Sequence, residues 1–341
     1  MQRFVYVSLL VMGWSTAMTG HTAADDAGDR RALRAGMIGL DTSHVIAFAK
    51  IFNAEPAVED VAGIRIVAGY PGGTDIPASR DRVGKFTEEL RGMGLEIVET
   101  IPELLDRVDV VLLESVDGRI HLEEARQVIA AGKPLFIDKP AAGSLVEAIM
   151  IFELAERAGV PCFSSSSIRF GDALLAARDN DKLGPVAGCD AYGPCTYQEG
   201  QPDLFFYGIH GVEGLFTVMG AGCQTVARTH TEDTDLVVGV WDGGRIGTYR
   251  GIRNNATGFG FTIFGQKSII QAERGEYQQL CREITRFFKT GTSPVPAAET
   301  LEIFAFMEAA DRSREQGGAV ISLPDFLREA RAEASRRLAS K

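Results

Sequence analysis

The sequence has few cysteines, a deficit of basic residues and few long apolar runs. Its five cysteines form no Cys-x-x-Cys pair and no cluster with histidine at zinc spacing, so no metal site is predicted. Beyond the amino terminus, no stretch approaches the roughly 18 apolar residues that a membrane-spanning helix needs. Acidic residues (46) outnumber basic ones (35), and the formal net charge is −11. This charge repels polyanions, which argues against nucleic acid or an anionic membrane as partner and favours a small molecule.

The amino terminus differs from the rest of the chain. An arginine precedes an apolar run over residues 4–14, and small and polar residues follow up to Ala24. This pattern is typical of a secretory signal peptide over residues 1–24, cleaved after Ala24, and it predicts a secreted or periplasmic protein. The alternative is a start codon assigned too far upstream. In an oxidising compartment Cys189 and Cys195 can pair; otherwise the cysteines are small core residues.

Residues 31–165 are predicted to form a Rossmann-type dinucleotide-binding domain, one of two domains in a chain of 341 residues. Short β-branched runs alternate with helical periods of about 10 to 15 residues, which is typical of a doubly wound parallel α/β sheet. Strands are expected at Ala35–Gly39, Ile64–Ala68, Val108–Leu113, Leu135–Ile137 and Val160–Phe163. Helices are expected at Val45–Phe52, Asp81–Arg91, His121–Ala131 and Leu145–Ala158.

Residues 166–341 are predicted to form an α+β domain. After a serine cluster at residues 164–167 and a loop rich in glycine, proline and aromatics at residues 192–207, the pattern favours a mostly antiparallel sheet. Its strands are expected at Gln224–Thr231, Leu236–Trp241, Arg245–Tyr249 and Phe259–Phe264. Helices at Tyr277–Thr290, Ala297–Gln316 and Pro324–Leu338 are expected to pack back on the first domain.

Two segments can carry chemistry. Lys139 follows a buried strand, at the edge where open α/β sheets bind ligands, and Pro140 holds it extended. His210 begins an apolar helix and has Glu213 on the same face. A histidine oriented by a carboxylate, with a lysine in the same cleft, suits general base catalysis. The residues alone do not decide either role, because Lys139 can also be a solvated lysine and His210 a core residue whose ring nitrogens are hydrogen-bonded.

Several motifs occur in the chain as an ordered set. They are AGKPLFIDKP at residues 131–140, His121 with Glu124 and Ala125, GIHGVE at 208–213, FGQK at 264–267 and the helices over 296–313. Together they resemble the Gfo/Idh/MocA oxidoreductases, which include glucose-fructose oxidoreductase and inositol dehydrogenase, over nearly all of the chain after residue 24. The resemblance implies an NAD(P)-linked oxidation of a sugar or polyol hydroxyl, and a carboxyl-terminal sheet that often mediates homo-oligomerisation.

The resemblance also implies roles for individual residues. Lys139 looks like the family lysine that polarises the reacting oxygen, and His210 looks like the general base. Many members have an aspartate four residues before that histidine, where this chain has Phe206, so Glu213 or Tyr207 would have to stabilise the imidazolium. Substrate contacts are implied at Arg169, Tyr207 and Glu213. Ser165 to Ser167, Tyr192 and Tyr197 are further candidates, or belong to an ordinary polar loop.

The stretch AGMIGLDTSHV at residues 35–45 departs from a GxGxxG fingerprint, because Asp41 and His44 replace the second and third glycines. Either Asp41 caps the following helix and takes the N–H groups that a phosphate needs, or Thr42 or Ser43 caps it and Asp41 turns outward. At about 5 Å, a carboxylate beside a phosphate costs roughly 3 kcal/mol. The resemblance places the cofactor at Gly39, Asp41, Thr42, Ser43, His44, His121 and Asp138.

The second predicted strand runs into residues 69–73 (GYPGG) and lacks the acidic residue that binds the ribose hydroxyls of NAD. Arg80, Arg82 and Lys85 follow, either to take the extra phosphate of NADP or as a solvated helix face. The expected cofactor is therefore NAD or NADP in a degenerate site. Because free NAD(P) is scarce outside the cytosol, two alternatives stay open on the same fold: an exported lyase or glycosidase-type enzyme, and a non-catalytic carbohydrate-binding protein.

Overall fold

Six parallel strands form the first sheet. The structure is a computed structural model that describes Met1 and residues 32–340, so the predicted signal peptide lies, except for Met1, outside the described residues. The strands are β1 (Leu33–Ile38), β2 (Ile64–Tyr70), β3 (Glu96–Ile97), β4 (Val110–Leu113), β5 (Leu135–Ile137) and β6 (Cys162–Ser164). Their order, β3-β2-β1-β4-β5-β6, reverses between β1 and β4 and confirms the predicted doubly wound sheet.

Helices connect these strands. They are α1 (Ser43–Phe52), α2 (Pro77–Arg80), α3 (Val83–Gly92), α4 (Ile101–Leu105), α5 (His121–Ala130) and α6 (Leu145–Ala158). The helix predicted over residues 81–91 is α3, which begins only at Val83 because Arg82 has a non-helical backbone at φ −121° and ψ −30°. The short helix α2 before it was not predicted. The segments β3 and α4 were not predicted, since two and five residues are too few to show a period.

Seven strands form the second sheet, in the order β12-β11-β7-β10-β9-β8-β13. They are β7 (Val186–Pro194), β8 (Cys223–His230), β9 (Thr234–Trp241), β10 (Ile246–Ile252), β11 (Gly260–Gly265), β12 (Ile269–Ala272) and β13 (Ile321–Ser322). All neighbours are antiparallel except β7 with β10, which confirms the predicted mostly antiparallel sheet. The strand β7 was not predicted because glycine interrupts its pattern of apolar and polar residues. Glycine is needed at position 188, because a Cβ there would lie 2.6 Å from the carbonyl oxygen of Ile246.

Five helices complete the described chain: α7 (Asp172–Ala176), α8 (Ile209–Met219), α9 (Tyr277–Thr290), α10 (Ala297–Glu315) and α11 (Leu323–Ala339). Short 3-10 turns lie at Glu59–Val61, Gly118–Ile120, Ser167–Phe170, Ala177–Asp179 and Asp242–Gly244. The helix α8 packs closely on the inner face of the second sheet, because two of its glycines meet aromatic rings. A Cβ would lie 2.3 Å from Tyr249 at Gly211 and 2.3 Å from Phe261 at Gly214.

The carboxyl-terminal helices pack on the first sheet. The ring of Tyr277 on α9 lies 5.8 Å from Phe48 on α1, and Phe287 lies 4.7 Å from Phe163 on β6. The two sheets thus share one compact unit, and the domain boundary between residues 165 and 166 stays a prediction. Among the described residues no helix combines the length and apolarity needed to cross a bilayer. All five cysteines are free thiols, so the structure contains no pair between residues 189 and 195.

Candidate active site

A small polar cavity lies at the carboxyl edge of the first sheet. Its volume of about 170 Å³ is below the roughly 300–1,000 Å³ of sites for drug-sized ligands. The loops after β1, β4, β5 and β6 meet the start of α8 and the start of α9 around it. Its polar wall includes Thr42, His44, Arg82, Lys139, Ser167 and His210. Lys139 and His210, which are 71 positions apart in the chain, therefore face one small-molecule space.

Lys139 enters this cavity directly after β5. Its side chain is buried, with a relative exposure of 8%, and within residues 32–340 its ammonium makes no ion pair or hydrogen bond. The ammonium lies 5.8 Å from the ring centroid of Tyr207. Burial lowers the pKa of Lys139, while the charge of Asp138 opposes that shift. The amine of Lys139 therefore faces the cavity without a competing partner among the described residues and can contact an oxygen of a ligand.

His210 is the second residue of α8 and is held from one side. Its Nδ1 lies 2.6 Å from the hydroxyl oxygen of Ser166, just after β6. Its ring meets Tyr207 and Phe259 edge-on, at centroid distances of 5.6 and 5.7 Å. Burial, together with the positive charge of Lys139, lowers the pKa of His210 well below its usual range. The imidazole is therefore neutral near pH 7 and can accept a proton.

Glu213 does not orient His210, although the sequence offered it as the stabilising carboxylate. Its Oε2 instead accepts a hydrogen bond of 2.7 Å from Nε of Arg169, which also lies 2.7 Å from Glu299. All three side chains are buried. Arg169 is thus held by two carboxylates, and neither it nor Glu213 lines the cavity. Ser166, and not Glu213, holds the imidazole by a hydrogen bond, while Tyr207 contacts its ring.

The three candidate tyrosines lie in different parts of the structure. Tyr207 lines the cavity and is 39% exposed. Tyr192 stands on the outer face of the second sheet, and the hydroxyl of Tyr197 bonds with Asp235 and the guanidinium of Arg228. Only the first of the three is placed to contact a molecule in the cavity.

The carboxylate of Asp41 points in neither of the directions that the sequence offered. Thr42 is the N-cap of α1, and its hydroxyl accepts the amide of His44 at 3.4 Å. Asp41 is fully buried: its Oδ2 accepts the Ser79 hydroxyl at 2.5 Å and its Oδ1 the amide of Val116 at 2.9 Å. Burial raises the pKa of Asp41 although these two bonds oppose it. The first turn of α1 is left without a capping carboxylate.

Gly39 turns the chain between β1 and this helix. Its φ is +82°, and a Cβ there would lie 2.2 Å from Oγ of Ser115 in the loop after β4. Only glycine fits such a contact. Arg82 reaches the cavity wall, whereas Arg80 pairs with Asp81 on the surface.

His44 and Asp138, two predicted cofactor ligands, bind each other. Nδ1 of His44 lies 2.6 Å from Oδ2 of Asp138. Burial opposes ionisation of Asp138, but His44 and Lys139 together hold the pKa of that carboxyl below its usual range. Glu114, which directly follows β4, is fully buried beside them and was not predicted as a site residue. An acidic residue at the end of the apolar run at residues 108–113 was the signal for it.

His121 lies apart from the cavity. Its Nε2 is 2.7 Å from the carbonyl oxygen of Ser115, and its Nδ1 is 3.3 Å from that of Ala141. The side chain is fully buried, and burial lowers its pKa. Its contacts tie the loop after β4 to the loop after β5, so its predicted contact with the cofactor stays a prediction.

Several solved structures share this fold. A scyllo-inositol dehydrogenase from Lactobacillus casei, with bound NAD(H) and scyllo-inositol, has a TM-score of 0.69 and 14% identity, over 86% of this chain and 100% of its own. A myo-inositol 2-dehydrogenase from Lactobacillus plantarum has a TM-score of 0.68 and 15% identity, over 86% and 99%. GenD2 from gentamicin A biosynthesis, in complex with NAD, has a TM-score of 0.69 and 18% identity, over 86% and 96%. No family model and no curated protein matches the chain.

These structures correct one prediction and confirm another. The predicted secreted or periplasmic location is wrong, because the chain is similar to dehydrogenases with NAD bound, and free NAD(P) is scarce outside the cytosol. The predicted resemblance is confirmed at the level of the fold, since inositol dehydrogenases match 86% of this chain. The chain has the fold of the Gfo/Idh/MocA oxidoreductases, whose solved members include NAD-linked inositol dehydrogenases.

Proposed function

We propose that the protein is an NAD(P)-linked oxidoreductase that acts on a hydroxyl group of a sugar or polyol. The observation that carries the proposal is the pair of Lys139 and His210 in one buried cavity. The lysine has no hydrogen-bond partner among the described residues, and the histidine is neutral with one nitrogen fixed. A free cation and a free base facing the same small space are what the oxidation of an alcohol requires.

In this reaction the chain binds the substrate hydroxyl between the two side chains. Lys139 donates a hydrogen bond to the reacting oxygen and stabilises the negative charge that develops there. His210, held at Nδ1 by Ser166, removes the hydroxyl proton at Nε2. A dinucleotide held at the start of α1 would supply the hydride acceptor for the carbon that carries this hydroxyl. Tyr207 closes one side of the cavity, where its ring can pack against the apolar face of a sugar.

The residues around α1 fit a dinucleotide in part. Asp41 takes none of the first-turn amides, so the helix start can receive a pyrophosphate as the resemblance implies. Gly39 has the left-handed backbone that the turn needs. By contrast, β2 ends at Tyr70 without a carboxylate for the adenosine ribose. Such a loss of one charged hydrogen bond costs about 1.5–3 kcal/mol, so the affinity for NAD is expected to be modest.

One observation favours a second candidate function. Asp41, Glu114 and Asp138 place three buried carboxyl groups around the crevice in which a dinucleotide puts two phosphates. Like charges in a desolvated site repel strongly. A lyase that uses Lys139 and His210 for acid–base chemistry without a freely exchanging nucleotide would avoid that repulsion. The non-catalytic carbohydrate-binding protein gains no support of its own from the cavity.

Turnover assays test the first proposal. Purified protein is screened with NAD and NADP against inositols and monosaccharides, and reduced nicotinamide is followed by absorbance. With the best substrate, Lys139→Met and His210→Asn should each lower kcat/KM by about 100-fold or more. Lys182→Met, at an exposed position outside the cavity, is the matched control and should have no effect. Turnover that survives both substitutions would overturn the assignment.

Two further readouts separate the candidates. Because the pKa of His210 is depressed, kcat/KM should stay level as the pH falls through about 6.5, where an ordinary histidine becomes protonated. Mass spectrometry of the denatured protein and thermal shifts with NAD, NADP and sugars then report binding. A shift with sugar, no bound nucleotide and no nucleotide effect would favour the lyase or the binding protein over the dehydrogenase.

A further inference from the structure

Three metal-ligating side chains converge behind the catalytic cavity. His44 lies in the first turn of α1, Glu114 directly after β4 and Asp138 directly after β5, so three segments bring them to one edge of the sheet. Their relative exposures are 7%, 0% and 3%. One ligand atom from each lies within 4.8 Å of the other two. No other group of three such residues with this spacing occurs within residues 32–340.

Three of the four carboxylate oxygens in this cluster lack hydrogen-bond partners among the described residues. Both oxygens of Glu114 and Oδ1 of Asp138 are buried without a hydrogen bond in the described structure. Lys139 is the nearest cation in sequence, but its ammonium forms no ion pair within 4.0 Å among the described residues. An unpaired carboxylate away from water costs several kcal/mol, so buried acids are normally paired, hydrogen-bonded or bound to metal. Three unpartnered oxygens in one buried cluster therefore favour a cation or a proton there.

We infer that His44, Glu114 and Asp138 form a binding site for a divalent transition-metal ion of the Mn²⁺ or Zn²⁺ class. One imidazole and two carboxylates are a ligand set that such borderline ions accept, whereas Ca²⁺ and Mg²⁺ prefer oxygen ligands alone. Nδ1 of His44 and Oδ2 of Asp138 would separate slightly as both turn to the ion. The inference goes beyond the proposed function and does not depend on it.

The ion would also balance the negative charge of the two buried carboxylates. His44 must be neutral to coordinate, so any proton on Nδ1 leaves to solvent when the ion binds. Two carboxylates then face a dication, while Lys139 remains free for substrate. The competing explanation is a proton held permanently by Glu114, since burial raises the pKa of that carboxyl well above its usual range. A protonated Glu114 needs no ion, and binding measurements distinguish the two.

Calorimetric titration of the full chain tests the site. The protein is stripped with a chelator, dialysed and titrated with MnCl₂ or ZnCl₂ without nucleotide or sugar. We expect one ion per chain, with Mg²⁺ and Ca²⁺ much weaker. Glu114→Gln keeps the shape but removes the charge, and should weaken binding by about tenfold or more. Glu124→Gln is the matched control, because Glu124 is a buried acid at the same sheet edge that bonds with the Ser115 hydroxyl outside the cluster.

Thermal melting shows whether the variant is folded. Without metal, Glu114→Gln should melt at or above the wild-type temperature, because it removes a buried acid that has no partner. Mn²⁺ should raise the melting temperature of the wild type and of Glu124→Gln, but not that of Glu114→Gln. Failure of the wild type to bind either ion, or equal binding by both variants, would overturn the site. Because no turnover is measured, these outcomes are independent of the dehydrogenase assays.

Discussion

At the scale of single residues, the direction of one carboxylate decides how the fingerprint region works. Asp41 is buried between Ser79 on α2 and the amide of Val116 after β4, and so joins two loops across the switch point of the sheet. Thr42 caps α1 in its place. Apart from the His44 amide, which bonds with the Thr42 hydroxyl, the amides at the helix start therefore remain available to an anion, while a carboxyl group stays close behind them. Asp41 has become a structural link between loops, in a place where most dinucleotide sites have bare backbone.

Replacing Asp41 by asparagine should strengthen the binding of NAD or NADP. Asparagine keeps an acceptor for Val116 and gains a donor for the Ser79 hydroxyl, but it removes a charge that repels the pyrophosphate. We expect an increase in affinity of about tenfold, below the roughly 3 kcal/mol limit for a full charge pair at 5 Å. Calorimetry gives the Kd values, with the exposed Asp81→Asn as control. Weaker binding by Asp41→Asn would show that the aspartate itself holds the cofactor.

At the scale of elements, α8 positions the proposed base. The helix carries His210 in its first turn and rests on the second sheet through Gly211 and Gly214. Without a Cβ at these two positions the helix comes closer to Tyr249 and Phe261 than any other residue would allow. The close distance between α8 and the second sheet therefore determines the position of the His210 imidazole relative to Ser166 and the cavity. Packing on the opposite partner of the helix, the second sheet, thus sets the geometry of the site.

A methyl group at this contact should loosen the helix. Gly214→Ala forces a Cβ to within 2.3 Å of the Phe261 ring, and such overpacking lowers the free energy of unfolding by about 1–3 kcal/mol. Gly84→Ala is the matched control, because that glycine lies in α3 and a Cβ added there would meet nothing within 4 Å. Gly84→Ala should raise the free energy of unfolding by about 0.5–1 kcal/mol. Urea unfolding measures both, and equal effects would contradict the packing argument.

At the scale of the whole molecule, the second sheet has one covered face and one open face. The helices α8 and α10 pack on the inner face. Within the described chain the outer face carries a row of apolar side chains, and the most exposed of them reach 42–63%. They are Tyr192, Leu236, Val238, Val240, Ile246, Phe264 and Ile269. Thr248, Asp190 and Thr262 lie among them on the same face. Exposed apolar side chains grouped on one sheet face are a feature of many protein–protein contact surfaces. Homo-oligomerisation through this sheet stays a prediction.

A charge on this face should break such an assembly. Ile246→Lys puts an ammonium at the centre of the apolar row, opposite Val240. If the protein associates through this sheet, the wild type should elute as an oligomer and Ile246→Lys as a monomer in size-exclusion chromatography with light scattering. Leu175→Lys is the control, since Leu175 is 48% exposed on α7, near the 51% of Ile246. A wild-type monomer, or dissociation by Leu175→Lys alone, would contradict the prediction.

The sequence by itself determined the architecture of this protein. The buried runs that became β1, β2, β4 and β5 alternate with amphipathic helices, and this local pattern specifies a parallel sheet because only that arrangement buries both of its faces. It also located Lys139 at a strand end and His210 at a helix start. The short strand β3 and the glycine-rich β7 were not predicted, since neither shows a clear alternation of apolar and polar residues.

Only the tertiary structure decided which side chains meet. Ser166 bonds with His210 from 44 positions away, and Asp138 bonds with His44 from 94 positions away. The orientation of Asp41 likewise depends on an amide 75 positions later in the chain. Such pairings follow from how loops at one sheet edge pack together, and no local propensity encodes them. Periodicity reports which face of an element is buried, whereas a site arises where several buried ends converge, which becomes visible only once the chain is folded.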